Sequence, residues 1–317
     1  MSSNSESWSK TLEQLDPTNE SFSIDELISN NPSHRVYPMT QWGLISITGE
    51  ERYTFLQGQA TCDTKRLEQG DALLGAHLNL KGRIESAFIA FNDSEQQRIL
   101  LLLPLSQLEH FHKLLGKYIL FAKAEMESVS DLLPCLIVGE APIDKTALTY
   151  NNPTLPDFRI VLASPDQFLE ISKNSPVSTG GSAEAILARN GLYLISEQQA
   201  GLYLPQELNY DKIDGISFNK GCYKGQEVVA RIHFKGQVKQ RLASYIINES
   251  LPEDLNKSAV FDDGGNKVGE IINNYPLTEF SIGCVLFKGS QTESKPLSLE
   301  QNDGPELQLL ALPYAIN

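Results

Sequence analysis

The sequence of 317 residues lacks the features of several common protein classes. No apolar run approaches the roughly 18 residues that a membrane helix needs. The first thirty residues carry six acids and one lysine, so a secretory signal is not expected. The four cysteines form no C-x-x-C pair, which argues against a zinc knuckle or an iron–sulfur ligand set. These absences favour a cytoplasmic protein with free thiols and no stably bound metal.

Positive charge is also scarce. The 26 basic residues face 40 acidic ones, and the net charge of −14 argues against a direct, stable nucleic-acid binder. Residues 220–241 reverse this balance, with six basic residues and one acid, a net of +5, so that the rest of the chain carries −19. A local positive field concentrates small anions, which predicts an anion-binding site in this segment. Lysines that protect an edge strand are the alternative interpretation.

Local patterns predict both strands and helices. Residues 75–91 are typical of two strands joined by a turn at Lys81-Gly82. Thr48 followed by Glu51 forms a capping-box pattern, which predicts that a helix begins there. The pair Gln226-Glu227 starts an apolar run, which predicts that a loop passes there into a helix or a strand. The predicted fold class is therefore α+β.

We expect the chain to have three parts. Residues 1–34 are polar and acidic, and they predict an N-terminal extension with a solvated Trp8 and a short helix near residues 24–28. Residues 35–235 form a mixed core. In residues 236–317 short apolar segments alternate with turn signals, which is typical of a small β-barrel.

The segment 220–227, with the sequence Lys-Gly-Cys-Tyr-Lys-Gly-Gln-Glu, carries the strongest functional signal. Gly221 and Gly225 allow backbone N–H groups to turn toward a ligand and allow the chain to approach it closely. Cys222 has basic neighbours, which favour its thiolate and make it the candidate reactive thiol. The remaining cysteines are predicted to be small buried side chains: Cys62, Cys135 and Cys284.

Two residues outside this segment are further candidates. Trp42 is either a core residue or a flat face on which a heterocycle stacks. Glu85 is either a surface carboxylate or points into a cavity. The sequence contains no P-loop, dinucleotide fingerprint or Ser-His-Asp arrangement, so the common hydrolase and nucleotide-binding sites are not expected.

Segment 220–227 matches the K-G-C-[FY]-x-G-Q-E signature of the YgfZ family, folate-binding relatives of the glycine-cleavage T-protein. The matching residues of the signature are Lys220, Gly221, Cys222, Tyr223, Gly225, Gln226 and Glu227. The chain resembles this family over roughly residues 35–317. Other matching pieces stand in the family's order: Trp42, 55–59, 81–83, Gly191, Pro205-Gln206, Asn209, 215–218 and 312–314. The resemblance implies a T-protein-like fold, with two intertwined α+β subdomains and a C-terminal β-barrel around a folate-binding channel.

The resemblance also implies a function. Family members bind tetrahydrofolate or a derivative and support iron–sulfur cluster assembly or repair in client enzymes, including radical enzymes that thiomethylate tRNA. The implied effect on tRNA is therefore indirect, and no membrane is involved. Cys222 matches the functional thiol of the family, which would act as a transient iron–sulfur contact or as a nucleophile.

The resemblance implies that Trp42, Gln206 and Arg231 contact folate. A second tryptophan is expected at about Ala183 and is absent, so Tyr193 or Tyr203 is the candidate replacement.

Two other functions remain open. One is folate-dependent one-carbon transfer of the aminomethyltransferase type, for which Glu85-Ser86 stands where the T-protein has an Asp-Asp pair. The other is a folate-binding regulator without chemistry. A classical enzyme is not expected.

Overall fold

The computed structural model describes residues 3–15, 23, 25–26, 34–141, 143–144, 146–179, 183–288, 296–300 and 304–316. The helices are α1 (Ser3–Leu12), α2 (Arg52–Gln59), α3 (Thr64–Glu68), α4 (Leu108–Ile119), α5 (Pro165–Asn174), α6 (Ala183–Arg189) and α7 (Gln226–Lys235). The first strands are β1 (Arg35–Pro38), β2 (Trp42–Thr48), β3 (Leu73–Leu78), β4 (Ile84–Asp93), β5 (Arg98–Pro104), β6 (Glu125–Val129), β7 (Leu133–Val138), β8 (Leu148–Tyr150) and β9 (Phe158–Ala163). The later strands are β10 (Arg241–Ile247), β11 (Ala259–Asp262), β12 (Lys267–Pro276), β13 (Ser281–Phe287), β14 (Leu297–Leu299) and β15 (Glu306–Leu310).

The strands form two antiparallel sheets and a barrel. One sheet has the order β3-β4-β5-β2-β6 and the other has the order β1-β7-β9-β8. The last six strands close into a barrel with the order β10-β13-β12-β11-β14-β15. The predicted α+β class and C-terminal barrel are confirmed, and so is the hairpin whose turn contains Lys81-Gly82.

Apolar residues cover both faces of the five-stranded sheet. One face packs against the second sheet, α6 and the barrel in a single large core cluster. The other face packs under α2 and α4, which contribute Phe55, Leu56, Phe111 and Leu115. Because both faces are covered, β5 is an unbroken apolar run, as a fully buried strand requires.

The expectation of a solvated Trp8 is wrong. Trp8 is only 2% exposed and its ring meets Phe168 edge-on, with 5.0 Å between the ring centroids. It belongs to an apolar cluster between α1, α5 and the second sheet, which includes Val36 and Ile137. Burial of this large ring explains why α1 is part of the fold. The helix predicted near residues 24–28 falls mostly outside the described residues.

The prediction of a capping box at Thr48 and Glu51 is also wrong, although the helix predicted to begin there is confirmed as α2. Glu51 stands at the N-cap position without a capping bond from its side chain. Its carboxylate instead accepts a hydrogen bond from the backbone N–H of Lys123, at 2.8 Å. A contact distant in sequence therefore replaces the local one. Along the described stretches of chain, no helix has the length and apolar character needed to cross a membrane.

Candidate functional site

The signature loop, residues 220–225, leads directly into α7. Gly225 precedes the helix with φ +81°, in the left-handed region. A Cβ atom at this position would lie 2.5 Å from the carbonyl oxygen of Asn79 and 2.9 Å from Cβ of Leu78. Glycine is therefore required there by conformation and by space. Gly221 has no atom within 4 Å of a Cβ position and no positive φ, so the predicted close approach applies to Gly225 alone.

The partner of the signature loop is the turn between β3 and β4. Gly82 in that turn has φ +72°, and a Cβ atom there would lie 2.8 Å from Cβ of Val228. The Cβ position of Gly225 is in turn 3.3 Å from Cα of Gly82. Two motifs about 140 residues apart in the sequence thus pack backbone against backbone.

Lys220 holds the other end of the loop. Its Nζ donates hydrogen bonds to the carbonyl oxygens of Gln57 (2.8 Å), Ala60 (2.7 Å) and Cys62 (2.6 Å). Three donated bonds use all the N–H groups of a protonated ammonium. Burial lowers the pKa of Lys220 to about 8, because the charged form loses its water, and the side chain stays mainly protonated at pH 7. We call Lys220 with these three carbonyls the lysine cage.

Cys222 lies exposed between these two fixed ends. Tyr223, the next residue, is buried with its ring centroid 5.1 Å from Nζ of Lys220, and its backbone N–H donates to Gln226. The three other thiols are buried, as predicted. Burial raises the pKa of Cys62 to about 11 and that of Cys135 and Cys284 to about 12. Cys222 is thus the one thiol of the chain that meets solvent.

The last two signature residues, Gln226 and Glu227, form the start of α7, which confirms the predicted end of the loop. Glu227 is exposed, whereas Lys220 and Tyr223 are buried within the packing of the loop. Its carboxylate stands in the first turn of the helix, where a negative charge interacts favourably with the positive end of the helix dipole. The structure therefore gives Glu227 a place at the helix start and does not bring it into the lysine cage.

The basic segment does not act as one positive field. Lys220 is used in the cage, and Arg241 forms a bidentate pair with Asp211, with both N–O distances at 2.9 Å. These two cations stabilise the fold. Lys224 is half-buried, and the exposed cations are Arg231, Lys235 and Lys239. Solvent can reach these four cations, and the anion site of this segment stays a prediction.

The structure brings Trp42 close to the position where a second tryptophan was expected. The indole Nε1 of Trp42 donates to the carboxylate of Glu184 at 2.7 Å, and Glu184 directly follows Ala183 in α6. Trp42 is only 3% exposed and lies in the main core, so its ring has no open face in this arrangement. Tyr193 and Tyr203, the candidate replacements, are also buried.

Glu85 is partly buried, with 21% of its side chain exposed. Its Oε1 accepts a hydrogen bond from Asn79 at 2.7 Å, and its Oε2 lies 3.9 Å from Nε2 of His110. Gln206 is buried beside α7 and donates from Nε2 to the carbonyl oxygen of Val229 at 2.8 Å. Its Oε1 has no partner among the described residues.

The sequence analysis did not identify three polar residues that lie near the candidate residues or are buried with an unpaired oxygen. Asn79 donates to Glu85, and Glu184 accepts from Trp42. Gln107 is fully buried, donates to the carbonyl oxygen of Ser196 at 2.9 Å, and keeps an Oε1 without a partner in the described part of the chain. The only sequence signal for Asn79 was its place beside the turn. Within the described ranges, no group of three His, Cys, Asp or Glu side chains is arranged to hold a metal ion.

Comparison with solved structures identifies the fold. The crystal structure of glycine cleavage system aminomethyltransferase T from Bartonella henselae matches with a TM-score of 0.62 and 14% sequence identity. The match covers 92% of this chain and 88% of that one. The molecule therefore has the T-protein type of aminomethyltransferase fold.

Curated relatives then identify the family. The tRNA-modifying protein YgfZ of Vibrio vulnificus is 31% identical over 264 residues, which is 77% of this chain and 81% of that protein. Its counterpart in Colwellia psychrerythraea is 28% identical over 281 residues, covering 80% and 85%. The Vibrio atlanticus protein is 26% identical and covers 98% and 99%. No family model matches the sequence. The chain belongs to the YgfZ family, as its signature predicted.

Proposed function

We propose that this protein is a folate-binding accessory protein that supports iron–sulfur cluster assembly or repair in client enzymes. Enzymes that thiomethylate tRNA are the proposed clients, so that the effect on tRNA is indirect. The names of the relatives and the aminomethyltransferase fold support this proposal. The observation that carries it is the exposed Cys222 on a loop that is fixed at both ends.

The loop presents the thiol without any need for local unfolding. Lys220 anchors the loop through three carbonyl oxygens, and Gly225 packs against the backbone of Asn79. The other thiols are buried with raised pKa values. A cluster or a client cysteine that approaches from solvent would therefore meet Cys222 alone.

A reduced pterin carries N–H donors, which would need acceptors on the protein. The oxygens Gln206 Oε1 and Gln107 Oε1 are buried acceptors without partners among the described residues, and buried acceptors of this kind are usually satisfied. Glu85 is a carboxylate held in place by Asn79. Trp42 would contribute through Glu184, the carboxylate that its indole N–H orients. When bound, tetrahydrofolate would supply a carrier of one-carbon units.

The glutamate tail of a folate needs positive charge at the protein surface. Arg231 lies on the exposed side of α7, and Lys224 is half-buried just before that helix. Arg231, the exposed cation of the two, would attract the tail carboxylates. Lys220 and Arg241 are excluded from this role because the fold uses them.

The thiol is tested by complementation. A bacterial strain that lacks its own family member receives this protein, Cys222→Ala, Cys222→Ser, or the exposed control Lys235→Ala, and tRNA thiomethylation is measured at equal protein levels. We expect rescue by the parent and by Lys235→Ala, and loss of rescue by both Cys222 variants. Full rescue by Cys222→Ala contradicts the role of the thiol.

Folate binding is tested separately by calorimetry with tetrahydrofolate. Trp8→Phe leaves Trp42 as the only tryptophan, so its fluorescence reports on the core near Glu184. We expect saturable binding that Glu184→Gln weakens. If neither calorimetry nor fluorescence shows saturation, every folate-based function is excluded.

Aminomethyl transfer is the second candidate, because the fold matches that of an aminomethyltransferase and Asn79 holds the partly buried carboxylate of Glu85. Its test is the formation of methylenetetrahydrofolate from aminomethyl-lipoyl protein, with Glu85→Gln as the matched variant. If the parent forms methylenetetrahydrofolate and Glu85→Gln does not, aminomethyl transfer would replace the accessory role as the proposed function. Saturable folate binding together with full rescue by Cys222→Ala would indicate a regulator without chemistry.

A further inference from the structure

A surface depression lies next to the signature loop, on the side of the turn between β3 and β4. It is an open depression of about 590 Å³, within the usual range of sites for small molecules. The residues that line it are Gln59, Asn79, Leu80, Lys81, Tyr118 and Lys224. We call it the Lys224 pocket.

Lys224 is held in this pocket by neutral groups. Its Nζ lies 3.4 Å from Nε2 of His77 and 5.3 Å from the centroid of the Tyr118 ring. His77 Nδ1 lies 2.9 Å from the carbonyl oxygen of Gln59, which can only accept, so Nδ1 carries the proton and Nε2 is an acceptor. Burial lowers the pKa of His77 to about 4, which keeps the ring neutral.

The positive charge of the pocket is not compensated. Lys113 and Lys267 pair with glutamates at 2.6 and 2.8 Å, whereas neither Lys224 nor Lys81 forms a salt bridge with any described residue. Two lysines without a carboxylate partner in the described chain therefore stand beside one pocket. An anion in the pocket would gain charge-assisted hydrogen bonds from both.

The walls of the pocket favour an aromatic ligand. Leu80 is 80% exposed and Tyr118 is 38% exposed, so both present apolar surface to the space beside the lysines. Apolar walls with a few charged or polar groups are typical of pockets that bind small molecules. Oε1 of Gln59 is buried and has no partner in the described chain, so it can accept a hydrogen bond from a polar substituent on the ring.

We propose that the Lys224 pocket binds an anionic group carried on an aromatic ring, either an aromatic carboxylate or an aromatic phosphate. The anion contacts Lys224 and Lys81, the ring packs on Tyr118 and Leu80, and a ring hydroxyl donates to Gln59. This site is additional to the proposed folate site and does not depend on it.

The test uses the full-length protein with ¹⁵N-labelled histidine. Calorimetry and the Nε2 resonance of His77 are followed during titration with benzoate, 4-hydroxybenzoate, phenyl phosphate and inorganic phosphate. We expect saturable binding of the aromatic anions and a shift of Nε2, because the Lys224 ammonium turns toward the ligand. A stronger response to benzoate or to phenyl phosphate assigns the natural ligand as a carboxylate or a phosphate.

Variants separate the contacts. Lys224→Met and Lys81→Met remove one charge each at similar length, and each is expected to weaken binding at least about tenfold, the loss expected for one charge-assisted hydrogen bond. Lys235→Met is the matched control at an exposed lysine outside the pocket and should bind as the parent does. Tyr118→Ala should weaken the aromatic anions without affecting inorganic phosphate.

Several outcomes would overturn the proposal. These are no saturation by any aromatic anion, unchanged binding by both Lys224→Met and Lys81→Met, or inorganic phosphate binding as tightly as phenyl phosphate. Displacement of benzoate by tetrahydrofolate would show one shared site and overturn a separate pocket. The probes contain no pterin, so a failure of the probes to bind does not contradict the folate proposal. A failure of tetrahydrofolate to bind likewise does not contradict the Lys224 pocket, which only the aromatic anions test.

Discussion

Replacement of Lys220 by methionine tests whether the lysine cage holds the signature loop. Methionine has a similar length and no charge, so the carbonyl oxygens of Gln57, Ala60 and Cys62 lose their donor. A hydrogen bond to a charged group stabilises a protein by about 1.5–3 kcal/mol, which gives roughly 4.5–9 kcal/mol for three.

Part of this loss is offset because the variant no longer buries a charge. The pKa of Lys220 falls from 10.5 to about 8, and a shift of this size corresponds to a net cost of about 3 kcal/mol for holding the charged form in the fold. The expected net decrease in the free energy of unfolding is therefore about 3 kcal/mol, within a range of roughly 1–6 kcal/mol.

Urea unfolding followed by circular dichroism measures this decrease, and the rate at which Cys222 reacts with an aromatic disulfide reagent reports on the loop. We expect a lower unfolding midpoint and faster thiol reaction for Lys220→Met. Lys235→Met, an exposed lysine in the same segment, should match the parent in both assays. If Lys220→Met unfolds within about 0.5 kcal/mol of the parent, as surface substitutions usually do, the lysine cage does not hold the loop.

Two further predictions follow from the same region. Gly225→Ala should destabilise the protein by more than about 2 kcal/mol, because alanine would combine a positive φ with a Cβ 2.5 Å from the carbonyl oxygen of Asn79. The control Gly221→Ala should unfold within about 0.5 kcal/mol of the parent. Equal urea midpoints for the two variants would contradict this prediction. The free energy of unfolding should fall by about 2 kcal/mol between pH 7 and pH 5, because the pKa of His77 is 6.5 in the unfolded chain and about 4 in the folded protein. The stability that the neutral ring contributes is complete above pH 6.5 and is lost as the pH falls toward 4. His77→Asn should lack this part of the acid sensitivity, and an NMR titration of His77 with a midpoint near 6.5 would refute it.

Much of the architecture was predictable from the sequence. The hairpin around Lys81-Gly82 follows from turn residues between two apolar runs, and the barrel follows from short strands separated by turn signals. The segment 220–227 identified both the family and the candidate thiol. These features depend on residues within a few positions of one another, so the sequence alone determined them.

Local patterns failed where a distant partner took over. Glu51 fits a capping box with Thr48, but its carboxylate bonds to the backbone of Lys123. Trp8 lies in a polar, acidic stretch, yet its ring packs on Phe168. Neither partner is visible in a short window of sequence, because a side chain goes to whichever partner the tertiary fold brings close.

The roles of the charged and aromatic residues at the site were decided by the tertiary structure alone. The sequence showed six cations in residues 220–241, but only the fold reveals that Lys220 is consumed by carbonyls 158 to 163 residues away. Only the fold shows that the indole of Trp42 bonds to Glu184 and that the ammonium of Lys224 lies next to a neutral His77. Charge and residue type are properties of the sequence. Burial, and the partner that meets each charge, depend on segments that become neighbours only when the chain folds.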